Sequence, residues 1–274
     1  EIVPGTKILV MSTGRNSFSP RYTNLKSYQW LESFSKVAGS HTFKAGLDMN
    51  FQRIANFFPG NFGGSYTFNS YADFAARRAF SFTQGFAGAG TDGPLTNPNA
   101  SEYAIYVQDS WRVNKKLTLN YGLRYDYFGY AQPKVKNPDS GLAALNLDTS
   151  RIALDKNNLA PRIGIAYKLS DRIVLRGGYG MFYGRTPSIM TGTAMSQNGI
   201  QVQTYTLRQG DAGLPTYPNI LAAPPALSRR PDIYVFSADY KQPVTHQYTF
   251  NWENQLGRDY GLTLGYLGVT GRSL

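Results

Sequence analysis

The chain has 274 residues, no cysteine, 28 glycines and a formal net charge of +11. The lack of cysteine excludes disulfides and thiolate metal sites. No run of residues approaches the ~18 apolar positions of a transmembrane helix. Charged residues make up 16% and aromatic residues 14%, which favours a β-rich chain over an ordinary soluble domain with roughly 25% charge. The basic residues are scattered, so we expect no nucleic-acid partner.

Four pairs of alternating segments are predicted to form β-hairpins. In chain order they are residues 26–37 with 41–53, 101–113 with 117–128, 160–169 with 172–183, and 245–256 with 260–269. From 117 to 127, every odd position is Leu or Tyr and every even position is Thr, Asn, Gly, Arg or Asp. This period of two predicts strands with one face in an apolar medium and the other in a polar medium.

The lengths of these strands and of their connections indicate a membrane barrel. The strands are about ten residues long, as in barrels that span a membrane, and about twice as long as in soluble sheets. Short turns alternate with long segments at 56–99, 129–158 and 184–231, as in outer-membrane barrels. We predict an all-β fold: an antiparallel transmembrane β-barrel, partial with about 8–12 strands, with long extracellular loops. A soluble β-sandwich with the same alternation is the alternative.

Smaller elements are predicted within the long segments and near the amino terminus. Alternation at 64–69, 200–207 and 232–239 predicts strand segments that extend strands above the membrane, and residues 71–78 predict a short helix. Residues 6–12 predict a partial leading strand.

In such a barrel, apolar side chains face lipid and polar ones face the lumen. Aromatic residues near the strand ends are expected at the membrane interfaces, namely Trp111, Tyr125, Tyr127, Tyr167, Tyr183 and Trp252. Phe128 is expected beside them. The candidate ligand contacts are loop aromatics and lumenal charges, namely Phe57, Phe58, Tyr66, Phe68, Arg124, Asp126, Arg162 and Arg176. Asp109 and Asp126 are predicted to form ion pairs in the lumen.

The sequence contains no catalytic or metal-binding pattern. There is no G-x-S-x-G, H-E-x-x-H or P-loop motif, so we expect no enzymatic activity and no cofactor. His41 and His246 are the two histidines. His41 is predicted to be solvent-exposed and His246 interfacial, with no co-ligand for a metal at either.

Three segments resemble the barrel of TonB-dependent outer-membrane receptors, especially those of the Oar-like group. They are residues 106–111 (YVQDSW) with 117–126 (LTLNYGLRYD), 159–167 (LAPRIGIAY) and 246–252 (HQYTFNW). The resemblance implies uptake of a large ligand, such as a siderophore, glycan or peptide, across the cell outer membrane. It also implies contacts with outer-membrane lipid and lipopolysaccharide, and energy supplied by a TonB complex.

The chain departs from this family in two ways. Such receptors resemble a barrel of ~22 strands around a plug, whereas residues 1–274 contain no plug-like region and no final strand that ends in an aromatic residue. We therefore expect the chain to be a fragment of the barrel, with TonB contacting the plug region of a longer parent chain. Two alternatives remain: a complete small barrel of about eight to ten strands for adhesion or surface binding, and a secreted carbohydrate-binding β-protein.

Overall fold

The structure is a computed structural model that describes residues 11–225 and 231–273. The strands are β1 (Tyr22–Ala38), β2 (His41–Phe57), β3 (Ser65–Thr67), β4 (Ser81–Ala87), β5 (Leu95–Thr96), β6 (Ala100–Arg112), β7 (Leu117–Tyr130), β8 (Asn158–Lys168), β9 (Ile173–Tyr183), β10 (Val202–Arg208), β11 (Val244–Leu256) and β12 (Tyr260–Arg272). The helices are α1 (Tyr71–Ala75), α2 (Ser140–Ala144) and α3 (Ser188–Ser196). None of the described helices is long and apolar enough to cross a membrane.

The chain divides into two compact units. Unit 1 comprises Glu1–Thr23, Asn56–Thr96 and Ser196–Ile233, and unit 2 comprises Asn24–Ala55, Asn97–Met195 and Tyr234–Leu274. The eight long strands belong almost entirely to unit 2, while unit 1 has a small sheet of its own.

The eight long strands form one sheet in the order β1-β2-β6-β7-β8-β9-β11-β12, with β5 paired to the end of β2. Pairing is antiparallel from β2 through to β12. All four predicted hairpins are therefore confirmed. In the described residues the sheet is open, because β1 and β12 each pair along one edge only.

Local hydrogen bonds explain why the chain turns where it does. Between β6 and β7, the side-chain oxygen of Asn114 accepts from the backbone N–H groups of Lys116 and Leu117, at 2.8 and 3.0 Å. Between β8 and β9, the Ser170 hydroxyl accepts from the N–H of Ile173 at 3.2 Å. Gly39 adopts φ +60° between β1 and β2, a left-handed conformation that favours glycine. These turns fix the strand register.

One face of the large sheet is apolar and open. Ile105, Val107 and Ile163 are 58%, 56% and 58% exposed, and they alternate with polar residues on the other face. A contiguous apolar surface of this kind is unfavourable in water and matches the hydrocarbon of a bilayer.

Buried side chains of unit 2 cluster where β6 and β7 leave the sheet for the long loops. Ala100, Phe128, Tyr130, Ile152 and Met195 form this core. Phe128 is 6% exposed here, so the expectation that it lies beside Tyr125 and Tyr127 is wrong. Successive residues of a strand point to opposite faces, and Phe128 therefore lies on the face opposite Tyr127.

Unit 1 contains a three-stranded antiparallel sheet in the order β10-β4-β3. Phe82 of β4 lies opposite Leu207 of β10, and both are 1% exposed. Helix α1 begins after Ser70, whose hydroxyl accepts from the N–H of Asp73 at 3.1 Å, a common cap. Strands at 64–69 and 200–207 and a helix at 71–78 are confirmed, but the two strands belong to this separate sheet and do not extend strands of the large sheet.

Two predictions for the smaller elements have other outcomes. The strand predicted at 232–239 is wrong, because this segment forms no ladder and ends in a turn in which the N–H of Tyr240 donates to Ser237 O at 3.2 Å. Local bonds of Ser and Asp side chains, such as that from Ser237 to Asp239, compete with strand pairing. Most of the strand predicted at 6–12 lies outside the described residues.

Candidate functional site

The candidate site is the polar face of the large sheet in unit 2. Strand alternation places Asn120, Gly122, Arg124 and Asp126 of β7 on this face, and the register aligns polar residues of neighbouring strands with them. One row across the strands contains Lys44, Gln108, Gly122, Arg162 and Gly180.

Arg124 is the centre of an ionic network on this face. Its Nε donates to Asp126 Oδ1 at 2.8 Å, and its Nη2 donates to Asp48 Oδ2 at 3.3 Å. Ala104 of β6 lies directly opposite both aspartates. Its small side chain leaves room for the arginine to bridge from β7 to β2. The predicted pairing of Asp126 with a basic residue is therefore confirmed, and its placement in a lumen remains a prediction.

Asp48 was not among the predicted site residues. Its position on the polar side of the alternating segment 41–53 was a usable signal. That alternation does not show which strands become neighbours. It could not reveal that β2 and β7 pair with the two edges of β6, which brings Asp48 within reach of Arg124.

Two other basic residues of unit 2 also have acidic partners. Arg176 Nε lies 2.8 Å from Glu253 Oε1, and Arg185 Nη1 lies 2.8 Å from Glu102 Oε1. Arg176 is therefore on the polar face as predicted, and its charge is balanced.

Arg162 and Lys44 differ from these residues. Among the described residues, neither has a carboxylate within 4.0 Å. The Arg162 guanidinium carbon instead lies 4.4 Å from the ring centroid of Phe182, a cation–π contact. Both side chains border a concavity of about 440 Å³ around Gly122. A Cβ atom at Gly122 would lie 2.8 Å from Gln108 Cβ, so the position favours glycine.

Asp109 lies on the opposite, apolar face, so its predicted placement in the lumen is wrong. In the register it is opposite Phe43 and Tyr121, which share the apolar face. Its Oδ2 atom lies 2.6 Å from His41 Nδ1 and accepts from the Tyr121 hydroxyl at 2.8 Å. The Asp109 carboxylate is 4% exposed and the His41 side chain 32%, so the expectation of a solvent-exposed His41 is also wrong.

Strand alternation assigns the six aromatic residues predicted at the membrane interfaces to the apolar face, and Tyr183, at the end of β9, also packs against the buried cluster around Phe128. Trp111, Tyr167 and Trp252 lie towards the short turns, whereas Tyr125, Tyr127 and Tyr183 lie towards the long loops. Their contact with the two membrane interfaces remains a prediction. His246, on the same face, has its Nδ1 atom 2.8 Å from the hydroxyl of Tyr179.

The loop aromatics predicted to contact a ligand belong to unit 1. Phe58 stacks on Phe18 and Phe57 on Tyr22, with ring centroids 4.7 and 5.5 Å apart. The Tyr66 hydroxyl donates to the backbone oxygen of Asn219, and burial raises the pKa of Tyr66. These rings pack within their own unit, and ligand contact by them remains a prediction.

A second aromatic cluster surrounds Tyr66. The Tyr66 ring centroid is 6.1 Å from that of Phe68, and both rings contact Tyr217 edge-on at 5.5 and 5.8 Å.

In the part of the chain that the structure describes, no group of three or more His, Cys, Asp or Glu residues could hold a metal ion.

Comparisons with known proteins agree with this architecture. Residues 2–274 match the family described as outer membrane beta barrel domain. The fold is similar to that of the FrpB iron transporter from Neisseria meningitidis, F3-3 variant, with a TM-score of 0.52 and 12% identity over 92% of this chain and 29% of that chain. The F5-1 variant of the same transporter, in its apoprotein form, gives a TM-score of 0.51 and 11% identity over 92% of this chain and 30% of that chain.

The outer membrane transporter YddB from Escherichia coli gives a TM-score of 0.48 and 14% identity over 89% of this chain and 25% of that chain. No curated protein matches the sequence. The chain thus spans less than a third of the length of the transporters to which it is similar, and at these identities the likeness shows the fold alone.

The family match covers almost the whole chain and agrees with the open apolar face, the long antiparallel strands and the short turns. The soluble sandwich is therefore excluded. The chain belongs to the outer membrane β-barrel domain family, and its location is the outer membrane.

Proposed function

We propose that this chain forms part of the wall of a TonB-dependent receptor that takes up a large ligand across the outer membrane. The observation that carries the proposal is the polar face of the sheet, where Arg124 joins Asp48 and Asp126 across three neighbouring strands. Charged side chains on the lumenal face of a barrel wall form a polar path, while the opposite face accommodates lipid.

TonB dependence and membership of the Oar-like group rest on the motifs at 106–126, 159–167 and 246–252. FrpB, which shares the fold, is named as an iron transporter. In this proposal, the TonB complex contacts a plug region of the parent chain, and lipid and lipopolysaccharide surround the apolar face. The chain acts without catalysis and without a cofactor, and its ligand is a siderophore, glycan or peptide.

Uptake in the native host tests this proposal. Strains with the gene intact, deleted or restored, each with and without a functional TonB system, are given labelled ferric siderophores, oligosaccharides and oligopeptides as probes. We expect at least one probe to enter only when both the gene and TonB are intact. Entry of every probe at the same rate in all the strains, or entry that needs the gene and is independent of TonB, would contradict the proposal.

A surface-binding function is the second candidate. Unit 1 favours it, because its three-stranded sheet has its own buried core at Phe82 and Leu207, which suits a separate binding module. This function predicts that cells adhere to a surface or glycan equally well with and without TonB. Adhesion that is lost only on deletion of the gene, combined with normal uptake of every probe, would favour it over transport.

A further inference from the structure

The basic residues of the polar face differ in whether their charge is balanced. Arg124 and Arg176 each have a carboxylate within 4.0 Å. In the described part of the chain, Lys44 and Arg162 have none. The Arg162 guanidinium contacts the face of the Phe182 ring. This contact orients the side chain and uses none of its N–H groups on a carboxylate.

The register brings these two uncompensated cations to one row. Lys44 lies opposite Gln108, Gln108 opposite Gly122, and Gly122 opposite Arg162. Three steps between strands separate the Cα atoms of Lys44 and Arg162 by roughly 14 Å. Lys and Arg have long side chains, so their head groups can approach a molecule placed over Gly122 from both sides.

Glycine leaves space between the two cations at Gly122. Gly122 has no side chain, and the concavity above it measures about 440 Å³. Gly180 lies on the other side of Arg162, and a Cβ atom there would lie 2.9 Å from the Phe182 ring. The Phe182 ring therefore packs over Gly180, where the Arg162 guanidinium contacts it. Arg162 also borders the concavity around Gly122.

The remaining polar side chains around the concavity can donate hydrogen bonds. They are the Tyr106 hydroxyl and the Gln108 and Asn120 amides. The two carboxylates on this face that adjoin Arg124, Asp48 and Asp126, are bonded to it. Asp109 also borders the concavity, but its carboxylate lies on the opposite face and is bonded to His41 and Tyr121.

We propose that this concavity is an anion-binding subsite, in which Lys44 and Arg162 hold a carboxylate or phosphate group carried by the transported ligand. The proposal rests on the proposed transport function and assigns a charge class to its ligand. Arg162 supplies the planar fork that pairs with two oxygens of an oxyanion, and Lys44 supplies a point charge from the facing side.

Calorimetric titration of the protein, purified from outer membranes in detergent, tests the subsite. Citrate and inorganic pyrophosphate are the anionic probes, and sorbitol is the uncharged probe. We expect K44Q/R162Q to bind the anions at least about tenfold more weakly than the unaltered protein, as expected for loss of charged hydrogen bonds. Binding by the unaltered protein should weaken as salt is added.

The matched control is K168Q/R185Q. It removes one lysine and one arginine that already have acidic partners, Asp171 and Glu102, so the change in net charge is the same. This control should bind both anions as the unaltered protein does. R162K retains the charge without the fork and should have intermediate affinity. Heat-modifiable migration on gels verifies that each variant is folded.

The subsite would be overturned by no anion binding in the unaltered protein, by equal affinity in K44Q/R162Q, or by an equal loss in K168Q/R185Q. Binding of sorbitol with the same affinity as citrate would also overturn it. Failure of the subsite and failure of the transport function are distinguishable. Uptake that depends on TonB, in a protein that binds no anion, removes only the subsite, whereas anion binding without such uptake removes only the transport proposal.

Discussion

The two faces of the large sheet each bury a carboxylate, and they stabilise it differently. On the polar face, Asp126 is 8% exposed and is paired with Arg124, a side chain that is always charged. On the apolar face, Asp109 is 5% exposed and is held by a histidine and a tyrosine. The polar face thus balances charge with charge, whereas the apolar face uses aromatic donors close to the short turns.

Of the changes on the two faces, removal of Arg124 should lower the free energy of unfolding most. R124Q leaves Asp48 and Asp126 without their cation, and breaking a buried ion pair from one side costs about 3 kcal/mol. We expect the free energy of unfolding in urea, measured in lipid vesicles, to fall by about that amount. The triple variant D48N/R124Q/D126N should recover part of the loss, since no carboxylate is left unpaired. Equal stability of R124Q and the unaltered protein would show that the network is solvated.

Removal of the charge on the apolar face should have a smaller effect. D109N keeps the shape of the side chain and an oxygen for the Tyr121 hydroxyl, but it loses the charge facing His41. We expect a loss of stability in the same urea assay that is smaller than in R124Q. D139N is a control outside the large sheet. If D109N lost more stability than R124Q, the order of importance of the two faces would be reversed.

The smallest effect is expected at the turn between β8 and β9, outside both faces. The Lys168 ammonium, 2.7 Å from Asp171, donates a hydrogen bond to this carboxyl and holds its pKa below the ordinary value. A lowered pKa stabilises the folded state above the pKa of the unfolded chain, and that stabilisation disappears as the pH falls through the folded pKa. D171N should therefore melt slightly lower at neutral pH and equally at strongly acidic pH.

Thermal melting across this pH range, followed by circular dichroism, measures the difference. K168Q should reproduce the effect of D171N, because either change removes the same pair. A difference in melting temperature between D171N and the unaltered protein that grows as the pH falls would contradict the expected direction.

Much of the fold could be predicted from the sequence because alternation and turn chemistry are local. Residues 117–127 alternate without a break, and Asn114 supplies its own turn hydrogen bonds. Both signals are complete within a dozen residues. β4 pairs with β3 and β10, but its sequence has no comparable alternation, so this strand was not predicted. Its conformation depends on pairing with β10, which lies more than a hundred residues further along the chain.

The candidate site could be predicted only in part. Arg124 and Asp126 are two residues apart on one face of β7, so their contact follows from strand geometry. Asp109 was assigned to the polar face because its side chain is charged. Its position in the alternation, two residues from both Val107 and Trp111, places it on the apolar face with them. The absence of a carboxylate beside Arg162 depends on the register of several strands, which alternation alone does not fix.

Ala104 has a consequence that its own contacts do not reveal. This residue carries no charge, yet it lies between Asp48 and Asp126 in the register and is 5% exposed. A larger side chain there would occupy the space through which Arg124 reaches β2. Position 104 therefore tolerates only side chains small enough to leave the path of Arg124 to Asp48 open. Substitution by valine, although conservative in character, would separate Arg124 from Asp48 and leave that carboxylate without its cation.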